Sequence, residues 1–326
     1  MIKKFICTAL ILFYSFLCIT AIAQNVKSKP LQTIIIDPGH GGIDPGARGT
    51  FSTEANVSLA VSLKLGDAIS KAFPDIKVIY TRTTDIVPGN MTTIDGGLKY
   101  RANLANESNG DLFIAIHCNA AGRAPGGWYG KRISHYNTVN KKVKVKKKWV
   151  TKAVKVPVYE TYWIENKAMG TETYVWAVNK NDSKINSLTK IEEEHYGEID
   201  SVSTLSLPDP SDPVDKARML IYAQNFFRKS LNLADLVQQN FSNSGRVDRG
   251  VKQRNDKGIW VLQATGMPSV LIEIGFISNK EEELYLNSEK GQEEVVANIF
   301  DAFKKYKEKL EAKKTEADKD AEKKAF

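Results

Sequence analysis

The sequence predicts a single α/β domain with a mostly parallel or mixed central β-sheet, flanked by helices on both faces. Three continuous apolar runs, at residues 34–36, 112–116 and 270–272, each lead into a polar residue, as strands of a sheet covered on both faces do. Segments with helical apolar spacing separate these runs, and we find no internal repeat. One set of strands therefore favours one domain over two smaller ones.

The first strand leads into a glycine-rich loop. Residues 33–53 read TIIIDPGHGGIDPGARGTFST, and Asp37-Pro38-Gly39 breaks the β-branched run, so His40 follows the strand. Glu54 begins a segment with helical apolar spacing, with Ser52 or Thr53 as the candidate cap. The sequence therefore predicts a carboxylate in the first turn of a helix.

The other two apolar runs place a histidine and a glutamate in comparable positions. His117 follows the second run and Glu273 follows the third. Because open α/β sheets bind ligands outside the carboxyl ends of their strands, these residues can converge with His40 and Glu54 on one edge. Two imidazoles and a carboxylate would give Zn²⁺ three ligands and leave one position open for water. The fourth group, a carboxylate, could act as a base.

These residues resemble the zinc-dependent N-acetylmuramoyl-L-alanine amidases, cell-wall hydrolases whose signature begins with the loop D-P-G-H-G-G. Together with the further matches, the resemblance spans most of residues 33–309 in the family's order. The further matches are Tyr80-Thr81-Arg82 with Asp85, Leu98 with Arg101 and Ala105-Asn106, Ile116-His117 with Asn119-Ala120, Gly170-Thr171-Glu172-Thr173-Tyr174, Arg249-Gly250-Val251-Lys252, and residues 267–279, MPSVLIEIGFISN. The chain departs from the family at Ala55 and Ile274, where the family usually has Lys and Thr.

The resemblance implies that His40, Glu54 and His117 bind one zinc ion and that Glu273 is the catalytic carboxylate. Arg82 and Asn119 are candidate substrate contacts. For Arg82, an ion pair with Asp85 inside the loop is an equally good interpretation.

The implied reaction is hydrolysis of the amide bond between N-acetylmuramic acid and L-alanine in peptidoglycan, for cell-wall remodelling or daughter-cell separation, with an activator protein as a further expected partner. From the residues alone, only zinc-assisted amide or ester hydrolysis follows. A zinc peptidase that cuts within the stem peptide and a non-catalytic wall-binding module remain alternatives. A phosphate-binding loop is the weakest alternative, because the glycine spacing matches no phosphate-loop pattern.

The N-terminal residues 1–23 have the three parts of a secretory signal peptide, which predicts an exported, periplasmic or extracellular protein. A membrane anchor is the alternative, although the apolar run is short for one. Cys7 and Cys18 would leave with the signal, so Cys118 is the one remaining thiol and no internal disulfide can form. We expect Cys118 to be buried and inert.

Residues 123–158 contain eleven Lys and Arg and no Asp or Glu, whereas the rest of the chain has a small negative net charge. Their alternating valines favour a β-hairpin or extended arm, and residues 123–168 look inserted relative to the family. Such an arm outside the cytoplasm would bind an anionic wall or membrane surface, and nucleic acid is not an expected partner of an exported chain. The alternative is a solvated lysine-rich loop in which His135 is a surface residue.

We place the catalytic domain at residues 24–309. Its second half begins with an acidic segment. The resemblance implies that residues 180–213 can form a regulatory segment in which Glu192, Glu193 or Glu194 covers the zinc, although a solvent-exposed helix is the more ordinary interpretation of this acidic run, with His195 as a surface residue. Beyond it the pattern predicts a helix over 217–241, strands at 259–262 and 270–273, and a closing helix near 295–300. Residues 310–326 form a charged tail that is either a frayed helix or disordered.

Overall fold

The computed structural model describes residues 31–177, 213–256 and 258–324, and residues 31–304 form one compact unit. The strands are β1 (Thr33–Pro38), β2 (Lys77–Tyr80), β3 (Leu112–Asn119), β4 (Gly127–Val145), β5 (Lys148–Glu165), β6 (Thr171–Val175), β7 (Asp248–Gln253) and β8 (Ser269–Phe276). The helices are α1 (Glu54–Ala72), α2 (Ile94–Glu107), α3 (Pro213–Asn243), α4 (Trp260–Ala264), α5 (Lys280–Asn287) and α6 (Glu289–Lys324), with a short 3₁₀ turn at Pro88–Asn90.

Six strands form a central mixed sheet in the order β2-β1-β3-β8-β6-β7. Strand β1 pairs in parallel with β2 and β3, and β3 pairs in parallel with β8. Strand β6 runs antiparallel to β8 and parallel to β7. A mixed sheet with flanking helices confirms the predicted fold class.

The register of the central strands brings three polar side chains into one row. His117 on β3 is the direct partner of Glu273 on β8, which in turn is the partner of Glu172 on β6. Neighbouring residues of a strand point to opposite faces, so Cys118 lies on the other side from His117. Cys118 is buried, and burial raises the pKa of its thiol, as expected for an inert cysteine.

The apolar runs read from the sequence form the centre of the core. Residues 34–36 and 112–116 are fully buried, which explains why both read as continuous apolar segments and not as alternating ones. One contiguous cluster joins them to the elements around β8: it includes Ile35, Phe113, Ala115, Trp176, Leu262, Met267 and Leu271. The residues that follow these strands are therefore carried on a rigid support.

The predicted strand at 259–262 is wrong, because Trp260–Ala264 forms the short helix α4. Periodicity alone cannot separate a short buried strand from a short helix. Here Val261 and Leu262 are buried while Trp260 is exposed, which one turn of helix on the core achieves. The strand in this part of the chain is instead β7, which is not predicted from the sequence. As the edge strand of the sheet it pairs on one side only, and its charged sequence DRGVKQ lacks apolar alternation.

The basic insertion is a β-hairpin, as predicted. Strands β4 and β5 pair in antiparallel from Gly127↔Glu165 to Val145↔Lys148 and form a two-stranded sheet separate from the central one. Most of its side chains are exposed, including that of His135. The base of the hairpin is fixed to the main unit through a hydrogen bond from Gly126 N to Ser278 O (2.9 Å).

Two segments predicted from the sequence lie entirely or mostly outside the residues that the structure describes. The signal peptide at 1–23 and residues 180–212 of the regulatory segment, with Glu192 to Glu194 and His195, lie outside the described residues. Helix α6 continues to Lys324, so the backbone of the charged tail is helical as far as that residue. Within the described ranges, no helix has the length and apolar character needed to span a membrane.

A buried carboxylate fixes the loop that leads into α1. Glu283 of α5 is fully buried and accepts hydrogen bonds from Thr50 N (2.7 Å), Phe51 N (2.9 Å) and Ser52 N (2.8 Å). It also accepts bonds from the hydroxyl groups of Thr50 and Ser52. Thr53 is the N-cap residue but makes no side-chain capping bond, so Glu283 restrains the approach to the helix in its place.

We predict that Glu283→Gln lowers the free energy of unfolding at pH 7 by about 2 kcal/mol, because the amide turns an N–H group toward N–H donors. Burial by itself raises the pKa of Glu283, but the hydrogen bonds from Thr50, Phe51 and Ser52 outweigh it and lower that pKa. A lowered pKa stabilises the fold above the unfolded value of about 4.3, and this contribution is lost as the pH falls through the folded value. Urea unfolding at pH 7 and pH 4 measures both effects.

The matched control is Glu281→Gln, on the same turn of α5 with an exposed side chain. It should leave stability unchanged within about 0.5 kcal/mol. Equal losses in the two variants, or an acid destabilisation that persists undiminished in Glu283→Gln, would contradict the role given to Glu283.

Candidate metal centre and groove

His40 lies just beyond β1 in an uncommon backbone conformation, with φ at 57°. Residues other than glycine rarely adopt this left-handed region, so the surrounding structure must hold it. Arg101 of α2 does so: its Nη2 donates to the carbonyl oxygen of His40 (2.7 Å), and its Nη1 donates to Pro38 O (2.7 Å). The same guanidinium forms a buried ion pair with Asp37 at the end of β1.

Arg82 holds the same loop from its other side. It is 2% exposed, and its guanidinium donates to the carbonyl oxygens of Gly39 (2.7 Å) and Ala55 (2.7 Å). The donors of Arg82 are thus used by backbone carbonyls inside the protein, and a contact between Arg82 and a substrate stays a prediction. Asp85 accepts a hydrogen bond from Gly42 N (2.8 Å) and forms no ion pair with Arg82.

His40, Glu54 and His117 converge as the sequence predicted. The Nε2 of His40 lies 3.1 Å from Glu54 Oε2, and the Nδ1 of His117 lies 2.7 Å from Glu54 Oε1. One ligand atom from each residue lies within 4.8 Å of the others, and the two rings are 5.0 Å apart at their centroids. Two imidazole nitrogens and one carboxylate oxygen at this spacing can share one divalent cation.

Further hydrogen bonds orient the three candidate ligands. His40 Nδ1 donates to Asp44 Oδ2 (2.8 Å), which leaves Nε2 directed at the cluster. Glu54 accepts from Ala47 N (2.7 Å) and Cys118 N (3.0 Å). Metal-ligating histidines in general bond a carboxylate through their other nitrogen, so this arrangement fits a metal centre. Asp44 is not among the residues predicted from the sequence, although its position four residues after His40 in the same loop is the available signal.

Glycine is required where the loop passes the cluster. Gly46 has φ at 65°, and a Cβ there would lie 2.5 Å from His40 Cδ2 and 2.6 Å from Glu54 Oε2. A Cβ at Gly39 would lie 2.6 Å from the His117 ring. All three distances are shorter than real Cβ contacts, so these glycines allow the loop to approach the candidate ligands.

Glu273 lies beside the cluster and is 8% exposed. Burial raises its pKa to about 8, and the negative charges of Glu54 and Glu172 act in the same direction. Its Oε2 is buried and has no hydrogen-bond partner among the described residues. A carboxyl group with a pKa near neutrality at the wall of a cavity is suited to exchange protons with a bound molecule.

A groove of about 420 Å³ opens over the cluster. His40, His117 and Glu273 line it on one side, while Leu98 of α2 and Trp260 of α4 give it apolar walls. Trp260 is 45% exposed, which gives it surface to contact a ligand. The helix that replaced the predicted strand therefore forms part of the groove.

Asn119, the second candidate substrate contact, also lines this groove. Its Nδ2 donates to Glu172 Oε2 (3.1 Å). Glu172 is buried and binds Arg249 Nε (2.6 Å) and Lys252 Nζ (2.7 Å), both on β7. Glu172, Arg249 and Lys252 match the family in sequence, but no role for them is predicted there, because their charges meet only when β6 and β7 pair.

Comparison with known proteins agrees with this geometry. The family model described as N-acetylmuramoyl-L-alanine amidase matches residues 34–305. The chain belongs to this amidase family. Among curated relatives, the N-acetylmuramoyl-L-alanine amidase AmiC of Escherichia coli O6:H1 is 28% identical over 286 residues, which cover 86% of this chain and 54% of the relative. The chain thus spans about half the length of that amidase.

Two solved amidase structures resemble the fold. A crystal structure of N-acetylmuramoyl-L-alanine amidase from Clostridium difficile 630 has a TM-score of 0.51 at 24% identity and covers 85% of this chain and 97% of its own. The CwlD amidase from Clostridioides difficile, solved in complex with the GerS lipoprotein, has a TM-score of 0.51 at 25% identity and covers 84% of this chain and 98% of its own. The fold shared with this chain therefore covers nearly the whole of each of these two solved chains.

We predict that Asp44→Asn weakens divalent metal binding by about 10- to 100-fold, because the amide no longer fixes the ring and tautomer of His40 with a charged acceptor. Competition with a chromophoric chelator measures the affinity. Asp85→Asn is the matched control: it changes a carboxylate that bonds the same loop at Gly42 but touches no candidate ligand. Equal affinities for Asp44→Asn and the unchanged protein would remove Asp44 from the centre.

Proposed function

We propose that this chain is a zinc-dependent N-acetylmuramoyl-L-alanine amidase, which hydrolyses the amide bond between N-acetylmuramic acid and L-alanine in peptidoglycan. The observation that carries the proposal is the convergence of His40, Glu54 and His117 beside Glu273. Family membership supports the choice of bond. The proposed roles are cell-wall remodelling or daughter-cell separation.

The donor set fits zinc. Two neutral imidazoles and one carboxylate match the three protein ligands of catalytic zinc sites, and they leave positions for water and substrate. When bound there, zinc supplies a Lewis acid that activates water as a nucleophile and polarises the scissile carbonyl. The hydrogen bond from His40 to Asp44 and those from Ala47 N and Cys118 N to Glu54 hold the candidate ligands in place without the metal.

Glu273 is the proposed general base and acid. Its raised pKa of about 8 reflects burial beside two carboxylates, and a divalent cation in the cluster would draw that pKa downward. In its ionised form the carboxylate takes a proton from the attacking water, and it then donates the proton to the leaving amine of L-alanine. Such proton transfer typically contributes 10²- to 10⁴-fold to the rate.

The groove supports the choice of an extended substrate. Asn119 has an amide at the floor of the groove, and Trp260 presents an exposed indole at its wall. We propose that Asn119 hydrogen-bonds the stem peptide and that the substrate lies along Trp260.

The proposal also includes export of this chain from the cytoplasm and an activator protein as its partner. The predicted signal peptide at 1–23 directs the chain to the periplasm, where peptidoglycan is accessible. The complex of the CwlD amidase with the GerS lipoprotein supports a partner protein for this chain, which we propose to be an activator.

The products of digestion test the reaction. We predict that the purified protein with zinc releases intact stem peptides with a free L-alanine amine from sacculi, and mass spectrometry identifies them. A peptidase would release stem-peptide fragments, and a binding module would release nothing. Either result would reject the amidase proposal.

A substitution at Glu273 tests its role in proton transfer. Glu273→Gln should retain zinc but reduce turnover by about 10²- to 10⁴-fold, because the amide cannot accept the proton. Metal analysis of the same sample provides the control for an intact centre. Near-normal turnover in a zinc-loaded Glu273→Gln protein would show that another group is the base.

Proton release tests the ligand assignment of His40. Burial by itself lowers the pKa of His40, but the carboxylates of Glu54 and Asp44 outweigh it and raise the pKa to about 9. The metal-free protein is therefore protonated at His40 below pH 9, and a cation must displace that proton. We predict release of at least one proton per zinc at pH 7.5, because Glu273 also loses part of its proton when the cation lowers its pKa, and weaker binding as the pH falls.

Calorimetry in two buffers of different ionisation enthalpy counts the released protons. An apparent binding enthalpy that does not depend on the buffer would contradict the assignment. Phosphate buffer is avoided because it binds zinc.

A further inference from the structure

The β4–β5 hairpin carries the excess positive charge of the chain on a two-stranded sheet that is separate from the central sheet. Its base is bonded to the main unit through Gly126 and Ser278. Strand β4 has 19 residues, which at about 3.4 Å per residue place the turn roughly 60 Å along the strand from that base. The far end can therefore contact a surface while the groove is occupied.

We call residues 141–152 the hairpin tip. The tip contains seven lysines and no acidic residue, and all seven are exposed: Lys141, Lys142, Lys144, Lys146, Lys147, Lys148 and Lys152. None of them forms an ion pair with a described residue, in contrast to Arg132 nearer the base, which pairs with Glu160. Unpaired charge of one sign at this density is complementary to an anionic surface.

Lysines at the two central positions of the turn cost conformational free energy. Lys146 and Lys147 both have positive φ, at 45° and 68°, as the two central residues of a type I′ turn require. Asn-Gly is the pair that folds most easily there, and lysine is disfavoured in this region. Folding of the hairpin therefore does not account for lysine at these two positions.

Apolar side chains accompany the lysines at the tip. Trp149 is 67% exposed and is the cross-strand partner of Lys144. Val145 and Val150 are exposed on the opposite face of the hairpin. An indole among lysines is the composition of protein surfaces at the membrane–water interface, where tryptophan lies at headgroup depth and lysines pair with phosphates.

We propose that the hairpin tip docks on a bilayer that contains anionic phospholipids. The lysines contact lipid phosphates, and Trp149 inserts at the level of the headgroups. Peptidoglycan carboxylates could pair with the same lysines, but a hydrated polymer offers no apolar layer for Trp149 and the valines. The proposal concerns the hairpin alone and does not depend on the hydrolytic activity.

Vesicle co-sedimentation of the whole protein tests the docking. We predict binding to vesicles of phosphatidylcholine mixed with phosphatidylglycerol, weakening with added salt, and little binding to phosphatidylcholine alone. The triple variant Lys146→Asn, Lys147→Gly, Lys148→Thr should bind on the order of 100-fold more weakly. Its fold is protected because Asn-Gly favours the turn and threonine favours a strand.

The control variant removes the same charge elsewhere. Lys280→Gln, Lys290→Gln and Lys304→Gln change three exposed lysines outside the hairpin and should leave vesicle binding within a few-fold of the unchanged protein. Equal losses in both triple variants would mean that only net charge matters, and would overturn docking by the tip.

Two single substitutions of aromatic residues distinguish binding by the hairpin tip from binding by its base. Trp149→Thr should weaken vesicle binding roughly tenfold, since an inserted indole buries much apolar surface. Tyr129→Thr removes an aromatic side chain that is 71% exposed at the base of the hairpin, and should have no effect. The reverse order of effects would contradict the proposed orientation.

Sacculi provide the competing surface. If the tip variants lose binding to sacculi while the protein ignores anionic vesicles, the hairpin binds the wall and the lipid proposal is wrong. If the protein binds neither surface at low salt, the proposal also fails. Turnover of a soluble muropeptide should be equal in all the hairpin variants, which separates this result from the test of the amidase reaction.

Discussion

The carboxylate of Glu54 joins two imidazoles that come from separate parts of the chain, and the rest of the candidate site depends on that junction. Each of its oxygens lies within about hydrogen-bond distance of one histidine ring. Three conditions make this possible: α1 begins at Glu54, the preceding loop passes close to the cluster at Gly46, and β3 carries His117 to the same edge. The positions of the three candidate ligands thus depend on the loop as much as on the sheet.

Two buried guanidinium groups stabilise this loop from within. Arg82 and Arg101 donate to backbone carbonyls at Pro38, Gly39 and His40, groups that a tight turn leaves without partners. Only Arg101 also meets a buried carboxylate, that of Asp37. A long side chain with several donors can satisfy the carbonyls of an irregular loop that no strand can pair, which explains arginine at both positions.

Much of the fold and most of the site could be predicted from the sequence, because both rest on local signals. The β-branched run before Asp37 marks a strand, and the apolar spacing after Glu54 marks a helix; their order locates His40 and Glu54. Asp44 and Glu172 escaped prediction because their roles come from contacts with His40 and with β7 that no local pattern encodes. Strand β7 and helix α4 were missed for a related reason. An edge strand needs no apolar alternation, and the burial of Val261 and Leu262 depends on the cluster beneath them.

Glu54, Glu172 and Glu273 lie close together, but their surroundings shift their pKa values in different directions. Burial raises the pKa of each, but both imidazoles reverse the effect at Glu54 and lower its pKa, and Arg249, Lys252 and Tyr174 do the same at Glu172. At Glu273 the charges of Arg254 and His40 also act to lower the pKa, but they do not outweigh burial and the two neighbouring carboxylates, so its pKa stays raised. The lysines of the hairpin tip cannot change this balance, since charges are screened within about 8 Å at physiological ionic strength and the tip lies far beyond that. The positive charge of the arm and the proton chemistry of the groove are therefore electrostatically independent, and each can be altered without the other.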